Sequence, residues 1–470
     1  MTEPTAFELR ELLRRGETSA VELLARSLRR IEAHRSLGAF VEQNDGTGDE
    51  ARGKDQALAE ARAADRRIAS TPRDERDSLP PLLGLPTAHK DLLRVRGFTT
   101  THGSAAVPHL VAGDDDPIAR VVREAGAICV GKTQVPEFGI AGYSENLVAP
   151  PARNPFDPDR TAGGSSGGTA AAIAAGMIPA GIGSDAGGSI RIPSGACGLV
   201  GLKPGRGRVP ADALSGLVDE LGAPRLAVSG PMARNARDAA LFYDALFTGS
   251  RAALRAVERA DDLRGLRIGI SLQSPFESRM PIRFDADALA ALDRAARMLE
   301  AHGHAVEEAS FDYGKAYPEA FTTVWTQALR RIPFEPGAEA RLGELARWFL
   351  EGARGASEQL VATSVEALHG FARSASAQWG RYDAVLTPAL AFAPPTTGAF
   401  WALGPEGDYR LQCEWAPQTS MVNVTGLPAI AVPAGVGTDG LPRGVQLIGR
   451  ADTELRLLQL ASQLEQVVGR

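Results

Sequence analysis

The sequence predicts one large α/β domain built on a mixed β-sheet. Three observations lead there. Strand-like and helix-like periods alternate along 470 residues, no internal repeat or long linker breaks the alternation, and apolar residues reach 44% against 23% charged. That composition is ordinary for a globular chain and ample for an extended core.

The chain opens with a helical pair. Ala6–Arg14 and Ser19–His34 carry apolar residues at helical spacing, with Thr18-Ser19 as the cap region of the second helix. Residues 51–70 read as an exposed helix. Strands are expected at 84–90, 127–131, 178–183, 266–270, 427–432 and 444–448, and helices at 117–125, 169–176, 236–247 and 285–302. Asn235 is the expected N-cap of the helix from Ala236. Residues 315–380 are almost entirely helical in pattern and hold three of the five tryptophans, Trp325, Trp348 and Trp379; a last helix starts at Thr453. Within the single unit 1–470, we therefore distinguish a helical part (1–70), a core (80–210) and an insertion-like helical region on the substrate side (280–380).

Composition narrows the function. A net charge of −6 gives no reason to expect nucleic acid or an anionic membrane as partner. No apolar run approaches the ~20 residues that span a bilayer, and MTEPTAFELRELLRRGE is charged throughout, without the apolar stretch expected of a secretory leader. Cys129, Cys197 and Cys413 lie far apart without a CxxC, so neither a disulfide framework nor a zinc site is indicated, and a cytoplasmic location is expected.

The chemistry-bearing stretch is Thr161-Ala-Gly-Gly-Ser-Ser-Gly-Gly-Thr-Ala170, with a second Gly-Gly-Ser at 187–189. A phosphate loop needs a lysine after its last glycine, and none is there. Gly181-Ile-Gly183-Ser-Asp-Ala186 matches a dinucleotide turn formally. The next residues, Gly187-Gly188-Ser189-Ile-Arg-Ile-Pro193, are poor material for the helix such a turn opens. Gly163-Gly-Ser165-Ser-Gly167 matches the GxSxG elbow, whose base is a histidine. Downstream stand only His302, His304 and His369, so a histidine-dependent esterase on Ser165 stays open, although it leaves the second Gly-Gly-Ser without a role.

Lysine usage suggests another base. Of 51 basic residues only Lys54, Lys90, Lys132, Lys203 and Lys315 are lysines. An ammonium in a dry site gives up its proton, which a guanidinium does not. Lys90 ends the apolar run Leu85-Pro-Thr-Ala-His and suits that task, with a second serine relaying the proton. Gly187-Gly188 can turn amide N–H groups toward a developing oxyanion. Lys132 and Lys203 read as structural, and so does Arg191.

Taken together, these residues resemble the amidase signature family of serine hydrolases. The likeness runs through Lys90-Asp91, Pro136-Glu-Phe-Gly139, Arg153-Asn-Pro-Phe-Asp157, Thr161–Gly168, Gly183–Pro193, Cys197-Gly-Leu-Val-Gly-Leu-Lys-Pro204, Val228-Ser-Gly-Pro-Met-Ala-Arg234, Thr425-Gly-Leu-Pro-Ala429 and Gly440-Leu-Pro-Arg-Gly-Val-Gln446. It implies a mixed, twisted sheet of about eleven strands covered by helices, and hydrolysis of a carbon–nitrogen amide bond through an acyl-enzyme. Carried over, Ser189 is the nucleophile, Ser165 the bridging serine held by a cis peptide after Gly164, and Lys90 the neutral base. The amides of Ala186, Gly187, Gly188 and Ser189 form the oxyanion hole, and Ser166 and Asp185 support the loops. Neither metal nor cofactor is implied. The expected partner is a small amide, ester or carbamate (urethane); aryl acylamides are among the candidates, and a homodimer stays open.

The family also contains an amidotransferase subunit that works with partner chains on charged tRNA. Gly216–Gly230 and Ile192 depart from that subunit's pattern, which favours a stand-alone amidase. Glu137 and Glu145-Asn146 are expected near the approach to the site. Phe400, Trp401 and the tryptophan-bearing helices are candidates for the wall of an apolar pocket.

Overall fold

The computed structural model describes residues 3–41 and 49–465. Ten strands form the main sheet: β1 (Pro86–Lys90), β2 (Ile128–Thr133), β3 (Ala180–Asp185), β4 (Val200–Lys203), β5 (Val228–Ala233), β6 (Arg267–Ile270), β7 (Ala305–Glu308), β8 (Ala384–Pro388), β9 (Ala429–Val436) and β10 (Pro442–Gly449). Their spatial order is β7-β6-β8-β10-β9-β4-β5-β3-β1-β2. The two ends of the sheet are parallel and the middle, from β8 to β3, is antiparallel. The sheet is thus mixed, with ten strands among the described residues where the resemblance implied about eleven.

Local chemistry explains the elements. Thr5 and Ser19 each build a capping box, with Glu8 and Glu22, at the starts of the helices Ala6–Arg15 and Ala20–Ala33. Asn235 caps the helix Ala236–Asp244 by accepting the Asp238 N–H at 2.7 Å. Strands β4, β5, β7 and β8 were not anticipated from periodicity. In β5 the run Val228-Ser-Gly-Pro-Met-Ala puts glycine and proline in a central strand, where both are unusual. Strand β7, Ala-Val-Glu-Glu, is a short and mostly exposed edge, too polar to stand out.

One apolar cluster joins Ala180 and Ile182 of β3 to the helices Ala236–Asp244, Ala286–Ala301 and Glu454–Glu465. A second lies against Ala88 of β1 and gathers the helices Gly167–Ala174 and Glu344–Gly355. The alternation along β3 accounts for its glycines. A β-carbon on Gly183 would sit 2.9 Å from Met232 Sδ and 3.0 Å from Ser166 Oγ. Gly181-Ile-Gly183 is therefore a strand packed close to the glycine-rich segment. Lys90 and Asp185 close the parallel neighbours β1 and β3 at their carboxyl ends, where open α/β sheets place their sites. No helix among the described residues is long and apolar enough to cross a membrane.

Candidate active site

The glycine-rich segment enters the helix Gly167–Ala174 directly, and this positions two serines over the ends of β1 and β3. The peptide between Gly164 and Ser165 is cis. Gly164 is required by close approach, since a β-carbon there would lie 2.6 Å from the Tyr143 backbone. Ser165 receives a hydrogen bond from Lys90 Nζ at 2.6 Å, and its carbonyl accepts from Ser144 Oγ at 3.4 Å. Lys90 also donates to Ser184 Oγ at 3.0 Å and to the Ser184 carbonyl at 3.3 Å. Both Lys90 and Ser165 are 1% exposed. Burial holds the Lys90 ammonium down at about 7, against a smaller opposing pull from the Asp185 carboxylate.

The second run is tied to the first. Ser166 N–H donates to the Ser189 carbonyl at 3.2 Å, and Ser166 Oγ donates to the Ser184 carbonyl at 3.4 Å. Asp185 organises the turn between β3 and the helix Arg191–Ala196. Its carboxylate accepts the amides of Gly188 (2.8 Å), Ile190 (3.1 Å) and Arg191 (3.4 Å). It leaves the amides of Ala186, Gly187 and Ser189 for another acceptor. Of the four amides that the resemblance implies for an oxyanion hole, the Gly188 N–H is engaged by Asp185. What Gly188 supplies is a backbone at φ +129°, open only to glycine.

Arg191 is wholly buried and bonds to Asp185 through Nε at 3.0 Å and Nη2 at 2.9 Å. Its other donors reach the Thr419 carbonyl, Gln446 Oε1 and Asn423 Oδ1. The guanidinium is a packed structural cation, and it keeps the Asp185 carboxyl far below the usual range even though burial pushes the other way. Thr419 Oγ1 donates to the Gly187 carbonyl at 2.7 Å, which holds the loop from the far side. Ser184, Thr419 and Asn423 were not anticipated. Ser184 carried a local signal, adjoining Asp185 at a strand end, whereas Thr419 and Asn423 stand more than 200 residues away.

The remaining candidates have other duties. Lys132 forms a buried ion pair with Asp91 at 2.9 Å. Lys203 is buried with Nζ on the Pro204 carbonyl at 2.7 Å. His302 bonds to the Met298 carbonyl, His304 to Gln463 and His369 to the Gly222 carbonyl, so all three histidines are engaged away from Ser165. Among the described residues no cluster of three or more His, Cys, Asp or Glu is arranged to hold a metal.

Ser189 opens on a crevice of about 60 Å³ that is also lined by Gly187, Phe321 and Trp325. Across a wall made of Ile140 and Ala141 lies a chamber of about 400 Å³. Glu137, Glu145, Asn146 and Trp401 line it, as does Tyr143, whose hydroxyl donates to Asp408 at 2.5 Å. Burial raises the carboxyls of Glu145 and Asp408 to about 6. Phe400 and Trp379 belong to the core, and Trp348 lines neither cavity.

The family model described as Amidase matches residues 22–458. The chain belongs to the amidase family. It is 37% identical to the putative amidase AmiB2 of Mycobacterium tuberculosis over 422 residues, 87% of this chain and 86% of that one. It is 32% identical to a glutamyl-tRNA(Gln) amidotransferase chain of Ralstonia nicotianae over 516 residues, 99% and 98% of the two chains. Among solved structures, 6-aminohexanoate cyclic dimer hydrolase superposes with a TM-score of 0.83 at 27% identity, covering 99% of this chain and 97% of that one. A bacterial aryl acylamidase of the amidase signature family gives 0.82 at 25% identity, covering 99% and 96%. This amidase is therefore an amide-hydrolysing enzyme with the amidase signature fold.

Proposed function

We propose that this amidase cleaves linear amides through a Ser189–Ser165–Lys90 relay. The observation that carries the proposal is the 2.6 Å bond between a fully buried, readily neutral Lys90 and Ser165. Neutral Lys90 takes the Ser165 proton as Ser165 takes that of Ser189, and Ser189 Oγ adds to the substrate carbonyl carbon. The amides of Ala186, Gly187 and Ser189 receive the oxyanion, with Gly188 shaping the loop. The proton returns from Lys90 through Ser165 to the amide nitrogen, the C–N bond breaks, and the amine departs. Water then adds to the Ser189 ester by the same relay and releases the carboxylic acid.

Esters and carbamates present the same carbonyl to the same groups, so the proposal extends to them, and the aryl acylamidase among the structural neighbours makes aryl acylamides good first substrates. Residues 280–380 act as the substrate-side region, supported by Phe321 and Trp325 at the crevice. A stand-alone enzyme is favoured over an amidotransferase subunit by the departures at 216–230 and Ile192. Three free, buried cysteines support a cytoplasmic setting.

Rapid mixing with an acyl p-nitroanilide tests the scheme. Nitroaniline release and capture of the acyl group by added hydroxylamine as the hydroxamate are expected, and Ser189→Ala abolishes both. Full activity in Lys90→Ala, with loss in His369→Ala, would instead support the histidine-dependent esterase. A purified protein inert toward all amides, esters and carbamates would support a partner-dependent subunit.

A further inference from the structure

We infer that the site rejects aminoacyl amides: an ammonium on the carbon next to the scissile carbonyl finds no acceptor at Ser189, so the acyl groups this enzyme takes are uncharged there. The inference rests on Ser189 being the nucleophile. Whatever the far end of a substrate reaches, a substituent one bond from the carbonyl that Ser189 attacks lies beside Ser189. The crevice there has no charged side chain on its wall.

The carboxylates of the region are spent or elsewhere. Asp185 accepts the amides of Gly188, Ile190 and Arg191 together with the Arg191 guanidinium. Glu137, Glu145 and Asp408 line the larger chamber, and none of them lines the crevice. The polar side chains on the crevice wall already have protein partners. Gln412 accepts the Gly142 N–H at 2.8 Å and donates to Asp408 at 2.7 Å. Thr419 Oγ1 donates to the Gly187 carbonyl, and the hydroxyls of Ser420 and Tyr409 pair with those of Tyr317 and Thr322, each at 2.8 Å. Burial pushes the Cys413 thiol up to about 12, which keeps it neutral.

What remains has the wrong sign for a cation. The amides of Ala186, Gly187 and Ser189 offer N–H donors, and Lys90 behind Ser165 is itself a cation when protonated. The aromatic rings turn edges, not faces, to the loop. Phe321 stacks on Tyr317 at 5.6 Å between centroids and on Trp325 at 5.5 Å. The atoms nearest a β-carbon on Gly187 would be Trp325 Cη2 at 3.5 Å and Phe321 Cζ at 3.9 Å, both on ring edges. A ring edge is the positive part of the quadrupole and repels an ammonium, whereas a face would attract it. An ammonium placed here gives up hydration and receives nothing in exchange.

The test compares alanyl and isobutyryl p-nitroanilide, which share a shape and differ by an ammonium in place of a methyl group. The ammonium activates the carbonyl, so reactivity alone favours the alanyl substrate. At pH 6.5 its kcat/KM should nevertheless be lower by about 10-fold or more. The alanyl-to-isobutyryl ratio should rise at least about 10-fold by pH 9.5, as an α-ammonium of ordinary pKa about 8 loses its proton. Lys90 titrates alike with both substrates and cancels in the ratio. Trp325→Glu puts a carboxylate on the wall, and at pH 6.5 it should raise the ratio at least about 10-fold over the isosteric Trp325→Gln. The wild-type pH series stands without either variant. An alanyl substrate cleaved within about 10-fold of its isostere at pH 6.5 overturns the inference, as does a ratio that is flat with pH. So do equal ratios in Trp325→Glu and Trp325→Gln, which would put the exclusion outside the crevice. An isobutyryl substrate that is inert in the wild type, or still cleaved by Ser189→Ala, strikes the underlying mechanism instead.

Discussion

Replacing Lys90 by methionine separates what this lysine does for catalysis from what it does to stability. In the fold, burial lowers the ammonium from an ordinary 10.5 to about 7. That displacement corresponds to about 5 kcal/mol favouring the unfolded chain when the lysine is protonated in both states, and about 4 kcal/mol at pH 7. Methionine fills similar space without a charge. It strands the Ser165 and Ser184 hydroxyls that Lys90 engages, at a cost of about 1–2 kcal/mol. The variant is therefore expected to be inactive and yet about 2–3 kcal/mol more stable at pH 7. With an unfolding entropy of about 2.1 cal/mol/K per residue, a chain of 470 residues gains about 2–3 °C in Tm.

The pH dependence is more diagnostic than the offset. Between pH 7 and 10.5 the unfolded chain binds more protons at Lys90 than the folded one, so wild-type stability rises with pH relative to the variant. The gap is widest below pH 7 and closes toward pH 10.5. Every other titrating group is common to both proteins. Urea denaturation at pH 6 to 10 measures the gap, and one that stays constant over that range would refute a folded-state Lys90 that is readily neutral.

Wild-type kcat/KM should rise through an acid limb near pH 7, because the relay needs neutral Lys90; a flat profile from pH 5.5 to 8.5 would contradict this. Ser184→Ala removes a hydrogen bond that favours the ammonium form. The acid limb should move to lower pH while kcat drops about 10-fold or less, as a pH series of initial rates will show. Asp185→Asn leaves Arg191 buried without its countercharge, and a loss of about 3–5 kcal/mol is expected from the urea midpoint.

Much of this site was legible because its chemistry is written in short runs. Scarcity marked the lysines, and Lys90, Lys132 and Lys203 are indeed buried, while Lys54 and Lys315 are exposed. The chain order of Lys90, the Thr161–Gly168 run and the Gly187–Ser189 run identified what converges, because each lies at a strand end or the loop beside it. The network behind the loop at 186–189 was not legible. Arg191 is held by Thr419, Asn423 and Gln446, and no local pattern links these residues to a turn more than 200 positions earlier. Nor could periodicity reveal that Asp185 takes the Gly188 amide, or that Trp325 lines the crevice while Trp379 is core. Strand β5 was hidden for a different reason: Gly230 and Pro231 suit close packing against β3 and β4 but oppose strand propensity.

The central claim is that Ser189 and not Ser165 attacks the carbonyl. Labelling the intact enzyme with a fluorophosphonate and mapping the adduct by mass spectrometry tests it directly. Modification on the peptide carrying Ser189, lost in Ser189→Ala, is the expected result. An adduct on Ser165, or an unmodified Ser189 in active enzyme, would contradict the account.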